Sequence, residues 1–350
     1  MLHTLHSPAT SQAVTKPAHH RQHAVVPDAS LDGPTRGAIV DDDYILFETL
    51  GRGGMGEVRR AADLKRGRVV AIKSMHRSLA CKPQLVAQFR NEGDMVASVS
   101  HRNVVTLLGR FDQADRHYLV FEHIRGRSLR DCITNDAPFT QAQQWSERAH
   151  ARSGAQQWSD RAHARSGAQQ WSERAHARSG ARFNAIAQQL TSAVAAVHRA
   201  GIVHGDIKSG NVLISPGFVD DRVTLIDFGL AHRTTPSFEI DRGISGTPGY
   251  MAPELLSGEL STQASDQYAL GVVLYEMLTG VHPFERECAA GEAPLDGDLH
   301  WQPTAPSTCA PTRNIAPILD QVVLRMMAKQ PADRFANLTE LQHAAPWRQR

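Results

Sequence analysis

The sequence predicts an α+β chain folded as two lobes, a small β-rich lobe with one main helix and a larger, mostly helical lobe. Three observations carry that prediction. Short strand-like segments recur from Tyr44 to Phe121 and are interrupted by a single helical stretch, Leu85 to Val99. After Ala185 the helical period dominates, and the segment Gln267 to Thr279 is apolar nearly all round, as a helix inside a lobe's core must be. Between these halves, Glu122-His123-Ile124-Arg125-Gly126 is a polar connection that reads as a hinge. The expected boundaries are a flexible tail over residues 1–40, a small lobe over 41–122, the hinge over 122–126 and a large lobe over 127–345.

At 350 residues the chain is long enough for one bilobed enzyme or two ordinary domains. Its 41% hydrophobic and 21% charged residues are those of a soluble globular protein. A net charge of +2 gives no argument for a nucleic-acid or membrane partner. The four cysteines, Cys81, Cys132, Cys288 and Cys309, form no Cys-x-x-Cys pair and read as free thiols. No apolar leader is visible, and the longest apolar run, Ala269 to Leu278, is too short to span a bilayer. A cytoplasmic setting is expected; the sequence assigns no oligomeric state.

In chain order, the first 40 residues are rich in His, Pro, Ser, Thr and Ala without periodicity. Their histidines share no ligand spacing with a cysteine or carboxylate, so a solvated tail is expected rather than a metal site. Order is expected from Tyr44-Ile45-Leu46. The chain then reaches Leu50-Gly51-Arg52-Gly53-Gly54-Met55-Gly56-Glu57-Val58, a Gly-x-Gly-x-x-Gly loop. Glycines there let backbone approach phosphate. A dinucleotide fold uses the same spacing but continues into a helix, whereas Val58 to Ala61 reads as another strand.

The strand Val69-Val70-Ala71-Ile72-Lys73 ends on a lysine. In the helix that follows, Glu92 interrupts the apolar stripe of Leu85, Phe89, Met95, Val96 and Val99. A buried carboxylate without a cation costs about 3–5 kcal/mol, so Glu92 needs a partner, and Lys73 is the nearest candidate. Strands are expected at Val104 to Leu108 and Tyr118 to Phe121, with Phe121 closing the back of a nucleotide pocket, and a helix from Ser128.

Residues 142–180 hold three tandem copies of a thirteen-residue unit, differing only at Glu147, Asp160 and Glu173. Thirteen residues at 100° each return about 220° from the start, so Trp145, Trp158 and Trp171 share no face of a straight helix. Each copy ends in Ser-Gly, which predicts a break. Three short helical pieces or a partly disordered surface excursion, in a tolerated insertion, are expected rather than one long coiled coil, then a helix over Ala185 to Arg199.

The chemistry concentrates next. His204-Gly205-Asp206-Ile207-Lys208-Ser209-Gly210-Asn211 sets an acid, a lysine and an amide within one loop. The strands Val212 to Ile214 and Val223 to Ile226 read as a hairpin joined through Pro216-Gly217, which brings Asn211 beside Asp227. Both present oxygen, the donor magnesium prefers.

With these residues in view, the sequence resembles the eukaryotic-type protein kinases, specifically the serine/threonine kinases of bacteria, from about Tyr44 to Ala345. The resemblance rests on the Gly51–Val58 loop, Val70-Ala71-Ile72-Lys73, Glu92, His204-x-Asp206 with Asn211, Asp227-Phe228-Gly229 and Ala252-Pro253-Glu254, all in the family's order. It implies transfer of the γ-phosphate of ATP to Ser/Thr hydroxyls of protein substrates, with autophosphorylation, using Mg2+ or Mn2+. In that reading Leu50 to Val58, Ala71, Lys73, Phe121, Glu122 and Ile124 bind ATP, and Glu92 positions Lys73. Asp206 accepts the substrate proton, Lys208 steadies the γ-phosphate, and Asn211 and Asp227 hold the metal. Thr247 is expected to contact Asp206 and Lys208, Asp266 to bond the backbone of the catalytic loop, and Arg334 to pair with Glu254. Three other readings are a pseudokinase scaffold, a small-molecule phosphotransferase, and a structural or interaction protein built on the repeat, for which the kinase motifs would have to be vestigial. The first would be supported by loss of Lys73, Asp206 or Asp227, and the second by loss of Gly246-Thr247 and Ala252-Pro253-Glu254; none is lost.

One position departs from the family: Gly205 stands where an arginine usually binds a phosphorylated residue of the following loop. Phosphorylation at Thr234, Thr235, Ser237 or Ser245 is therefore not expected to be the main switch.

Overall fold

The computed structural model describes residues 36–113, 115–135, 161–217, 221–234, 246–284 and 302–347. The tail up to residue 35, the first repeat copy, and Thr235, Ser237 and Ser245 lie outside the described residues.

The small lobe is a six-stranded antiparallel sheet: β1 (Ile39–Val40), β2 (Tyr44–Arg52), β3 (Gly56–Asp63), β4 (Arg68–Met75), β5 (Leu107–Gln113) and β6 (Arg116–Glu122), in spatial order β1-β2-β3-β4-β6-β5. The sheet starts earlier than the sequence suggests, because Ile39 and Val40 pair with Ile45 and Tyr44. Pleating gives the sheet two faces. Leu46, Ala61, Val70, Ile72, Tyr118 and Val120 fill a small outer core. Met75, Leu119 and Phe121 face inward and join the main core.

Two helices interrupt the sheet, α1 (Arg77–Ala80) and α2 (Pro83–Ala97). Proline at the first position of α2 lacks only an N–H that would have no helical partner there. The buried face of α2 is Phe89, Glu92, Gly93, Met95 and Val96, as its spacing predicts.

The strand expected at Val104 to Leu108 begins only at Leu107. The reason lies in the large lobe. Asn103, itself buried, donates to the carbonyl of Val223 (2.6 Å) and to Gln189 (2.8 Å). Leu225 N–H bonds Asn103 O at 2.8 Å and Val105 N–H bonds Leu225 O at 3.0 Å. The segment is thus claimed by the other lobe before it can pair with β6.

Beyond the hinge come β7 (Arg127–Ser128), α3 (Leu129–Asn135) and α4 (Arg161–Arg199). The break expected at each Ser-Gly is absent at the two described ones: α4 is a continuous 39-residue helix through Gly167 and Gly180. A helical glycine costs only about 1 kcal/mol relative to alanine, and its neighbours here are strong helix formers. The C-terminal half, anchored by buried Phe183, Ile186, Leu190, Val194 and Val197, supplies the nucleus, so the remainder only propagates.

The hairpin β9 (Val212–Ser215) and β10 (Arg222–Leu225) forms as expected, with β7 on its other side and the short pair β8 (Ile202–Val203) and β11 (His232–Arg233) beside it. Helix α5 (Pro253–Leu256) precedes α6 (Gln263–Thr279), whose residues Ser265 to Thr279 are all buried. Thr262 and Ser265 form a capping box at its start, and Gly280, at φ +79°, ends it. Helices α7 (Pro306–Cys309), α8 (Pro317–Met326) and α9 (Leu338–Ala344) complete the lobe. No helix among the described residues is long and apolar enough to cross a membrane. Among the described residues, Cys81 and Cys309 are free thiols, and Cys288 lies outside them.

Candidate active site

The small lobe's inner face delivers the first half of the site. Cross-strand register aligns Gly51 with Val58, Val58 with Lys73, and Ala71 with Phe121. Strand alternation therefore puts Val58, Ala71, Lys73 and Phe121 on one face, under the glycine hairpin. The hairpin closes through Gly53 N–H to Gly56 O (2.8 Å) and Gly56 N–H to Gly53 O (3.3 Å). Only glycine fits at 56, where a Cβ would lie 2.1 Å from the carbonyl oxygen of Ser74. Gly51 and Gly54 face open space, and Leu50 is exposed, while Met55 tucks against the main core. Arg52 and Glu57 are turned toward each other, 3.4 Å apart, with Arg59 3.5 Å from Glu57 on its other side. Their side chains are thereby committed to the hairpin itself.

Lys73 and Glu92 meet as the buried stripe required. Lys73 Nζ donates to both carboxylate oxygens, at 2.7 and 2.8 Å, and to Asp227 Oδ1 at 3.2 Å. Burial disfavours the ammonium, yet the two carboxylates override it and raise the lysine's pKa. At the hinge, Glu122 spends its carboxylate on the N–H of Thr106 (3.0 Å) and on Arg222 (3.6 Å). Among the described residues, the N–H and C=O of Ile124 carry no hydrogen bond.

The large lobe delivers the second half. Asp206 is held from three sides: Lys208 Nζ at 2.6 Å and Asn211 Nδ2 at 3.0 Å on Oδ2, and the Thr247 hydroxyl at 2.6 Å on Oδ1. Lys208 also donates to Thr247 at 2.7 Å, so the loop and the Gly246–Tyr250 segment close on one another. Asn211 spends its amide N–H groups on the carboxylate and carbonyl of Asp206 and keeps its carbonyl oxygen as an acceptor. The N–H of Ile226 bonds the main-chain carbonyl of Asn211 at 2.9 Å, which sets Asp227 beside it as the hairpin implied. Asp227 adopts φ +64°, a left-handed conformation uncommon for a residue with a side chain. Its side chain opens on the cleft, and although the surrounding protein desolvates the carboxylate and would raise its pKa, Lys73 overrides this to hold it below the usual carboxylate range.

Beneath the loop, Asp266 of α6 accepts the backbone N–H of His204 (2.8 Å) and Gly205 (2.9 Å) and the ring of His198 (2.8 Å). These bonds keep its carboxyl ionised despite complete burial, as the downward pKa shift shows. His204 is fully buried, stacked at a tilt on Phe228 (4.7 Å), and accepts the Asp206 N–H at Nδ1 (3.3 Å). Burial lowers its pKa, in keeping with a neutral imidazole that can accept.

Besides the His198–Asp266 bond, four contacts were not foreseen from sequence. Tyr250 donates to both oxygens of buried Glu276 (2.8 and 2.9 Å) and meets Ser209 at 2.9 Å. Two amides of α2, Gln88 and Asn91, reach carbonyls of Gly229 and Ala231, each at 3.2 Å. The four- and three-residue spacings from Gln88 to Glu92 and Asn91 were the available signal, since they put all three on one side of the helix. Glu254 and Arg334 pair as expected, with both contacts at 2.7 Å.

This geometry agrees with the comparison to known proteins. The family described as "Protein kinase domain" matches residues 44–347. The chain belongs to the protein kinase family. This kinase domain is 29% identical over 302 residues to "Serine/threonine-protein kinase pkn3" of Myxococcus xanthus, covering 84% of this chain and 48% of that protein. It is 30% identical over 315 residues to "Probable serine/threonine-protein kinase PknB" of Corynebacterium glutamicum, covering 87% of this chain and 42% of that protein. The chain thus spans less than half the length of these curated relatives. The crystal structure of the Mycobacterium tuberculosis PknI kinase domain shares the fold, with a TM-score of 0.58, 21% identity, and coverage of 89% of this chain and 98% of that one. The protein kinase fold is therefore the bilobed architecture the sequence implied.

Proposed function

We propose that this chain is an ATP-dependent serine/threonine kinase acting on protein substrates, itself included. The observation that carries the proposal is the pair of facing clusters, Lys73–Glu92–Asp227 and Asp206–Lys208–Thr247, across one cleft.

The residues fit ATP and a divalent ion. Gly51 and Gly54 of the glycine hairpin border open space, and the backbone of Ile124, without a hydrogen bond among the described residues, suits a base edge. Leu50, Val58, Ala71 and Phe121 supply apolar contact, and Lys73 the charge for α and β phosphates. Asn211 keeps one amide oxygen and Asp227 a carboxylate whose side chain is 43% exposed, a hard oxygen pair of the kind Mg2+ or Mn2+ takes alongside phosphate. When bound, the ion would neutralise charge on the transferring phosphate.

The chain's own residues then divide the work. Asp206 stands ready to take the hydroxyl proton, its carboxylate oriented by three donors. Lys208 is placed to steady the γ-phosphate, and Thr247 ties that lysine to the segment on which a peptide would lie. Glu92 keeps Lys73 extended toward the cleft. The free thiols of Cys81 and Cys309 are in keeping with a cytoplasmic setting.

The test is transfer of labelled phosphate from ATP to the chain and to a generic basic protein, followed by identification of the labelled amino acids. Label is expected on serine and threonine. Lys73→Met should reduce it at least 100-fold, chiefly through ATP affinity, because no other cation is foreseen to occupy that position. Label in neither protein, with wild-type chain folded and ATP-bound, would defeat the proposal.

Gly205 gives a second expectation. It sits at φ +76°, and a Cβ there would stand 2.8 Å from the Leu230 carbonyl. Restoring an arginine, Gly205→Arg, should cost about 1–3 kcal/mol of stability through backbone strain and crowding. Phosphatase-treated wild type should retain turnover within about tenfold, since glycine offers no guanidinium to a phosphate. Unchanged denaturation for Gly205→Arg, or a loss of turnover of several orders after phosphatase, would contradict these expectations.

A further inference from the structure

Helix α2 does two jobs with one face. Glu92 holds Lys73, and one turn earlier Gln88 Nε2 donates to Gly229 O while Asn91 Nδ2 donates to Ala231 O, each at 3.2 Å. Gly229 and Ala231 belong to the segment directly after Asp227. That segment continues into β11, whose residues His232 and Arg233 pair with Val203 and Ile202 just before the catalytic loop. His232 also meets Ser261 O at 3.1 Å, and Thr234 N–H bonds Gly201 O at 2.9 Å. The backbone after Asp227 is therefore fastened to the large lobe on one side and to α2 of the small lobe on the other.

The donors are not interchangeable with generic packing. Both acceptors are main-chain carbonyls, so each amide must present its NH2 group. Both side chains are half-buried, which limits replacement of the bond by water. Gly205 removes the residue that could otherwise have fixed this segment through a phosphate. Among the described residues, the hydrogen bonds that reach this segment from α2 are this pair of amides, beside the Lys73–Asp227 contact.

We propose that Gln88 and Asn91 are positioning residues: they tether α2 to the backbone at Gly229 and Ala231, and so set where Glu92 presents Lys73 without any phosphorylated residue. The proposal rests on the kinase reading but is testable apart from it.

In the nucleotide-free full chain, the amides of α2 and of residues 229–234 should exchange with deuterium about tenfold faster in the Gln88→Ala/Asn91→Ala double variant. The denaturation midpoint should stay near wild type. Gln88→Glu is the stricter arm. It keeps the length and packing but aims oxygen at oxygen, and should reproduce a large part of the effect. With ATP, the double variant should show KM for ATP raised and kcat lowered, together about tenfold in kcat/KM, the order set by two lost amide donors. KM for the protein substrate should not move. Wild-type exchange in both variants would overturn the tether. Equal losses in exchange protection throughout the chain would overturn it as well, by showing a merely structural role. Faster local exchange in a wild-type background that phosphorylates nothing would sink the kinase reading while leaving the tether standing.

Discussion

Asp206→Asn should lower kcat for phosphate transfer by about 10²–10⁴-fold while leaving ATP affinity within a few-fold of wild type. The substitution preserves size and shape but removes the acceptor that would receive the hydroxyl proton. It also breaks a specific electrostatic arrangement. Lys208 at 2.6 Å and Asn211 at 3.0 Å both donate to Oδ2, and an amide nitrogen placed there would meet donors with a donor. An amide flip would relieve that clash only by turning nitrogen toward the Thr247 hydroxyl, now at 2.6 Å from Oδ1 and able to accept as well as donate. The loop can therefore stay folded, and the loss is expected in the chemical step. Lys73, Glu92 and the glycine hairpin are untouched, which is why nucleotide affinity should survive. Single-turnover transfer and direct titration of ATP separate the two. Wild-type kcat in this variant would remove Asp206 from its assigned role.

The second large effect concerns stability. Arg334 is fully buried, and its five N–H groups are all used: two on Glu254 and the others on the carbonyls of Ala264, Ala328 and Lys329. Its guanidinium also lies 5.1 Å from the Tyr268 ring centroid. Glu254 opens α5 and carries a second bond from Ser265 at 2.9 Å. Burial pushes its carboxyl up, and the arginine reverses this to keep it ionised. Arg334→Met strands that carboxylate and three carbonyls, so a loss of about 3–5 kcal/mol is expected. Against a total of about 5–15 kcal/mol for a folded protein, this is severe. Arg334→Lys should also be costly, because three donors cannot replace a five-donor fork. Coupling Arg334→Met to Glu254→Gln should recover part of the loss by removing the stranded charge. Denaturant midpoints decide the matter, and a change below about 1 kcal/mol for Arg334→Met would refute the account.

Much of the site could be read from the chain because its chemistry demands particular residue types at fixed spacing. Asp206, Lys208 and Asn211 share one short loop, and Glu92 betrayed its partner by sitting charged in an apolar stripe. Asp266 and Arg334 were reached through the family's order of motifs rather than through any local pattern. The residues that escaped, Gln88, Asn91, Tyr250 with Glu276, and His198, act through contacts between segments distant in sequence. Polar side chains on half-buried faces fit several partners, and only the assembled fold selects one. The long helix α4 was missed for a different reason. Ser-Gly is a local stop signal, but a helix already nucleated by a packed end can run through it. The late start of β5 has the same character: Asn103 is an ordinary loop residue until Gln189 and Val223 O are brought to it.

That asparagine has a mechanical consequence. Among the described residues, the two lobes are joined at the hinge over 122–126, again where Asn103 and Val105 bond Val223 and Leu225, and across the cleft by the side chains of Lys73, Gln88 and Asn91. The first two are the attachments on the hinge side. A body held at one point can turn about three axes; held at two, it turns only about the line between them. The small lobe is thus a door on a pair of pins. Swinging it open would part the Lys73, Gln88 and Asn91 contacts first, whereas sliding Lys73 sideways past Asp227 would also require one pin to be drawn.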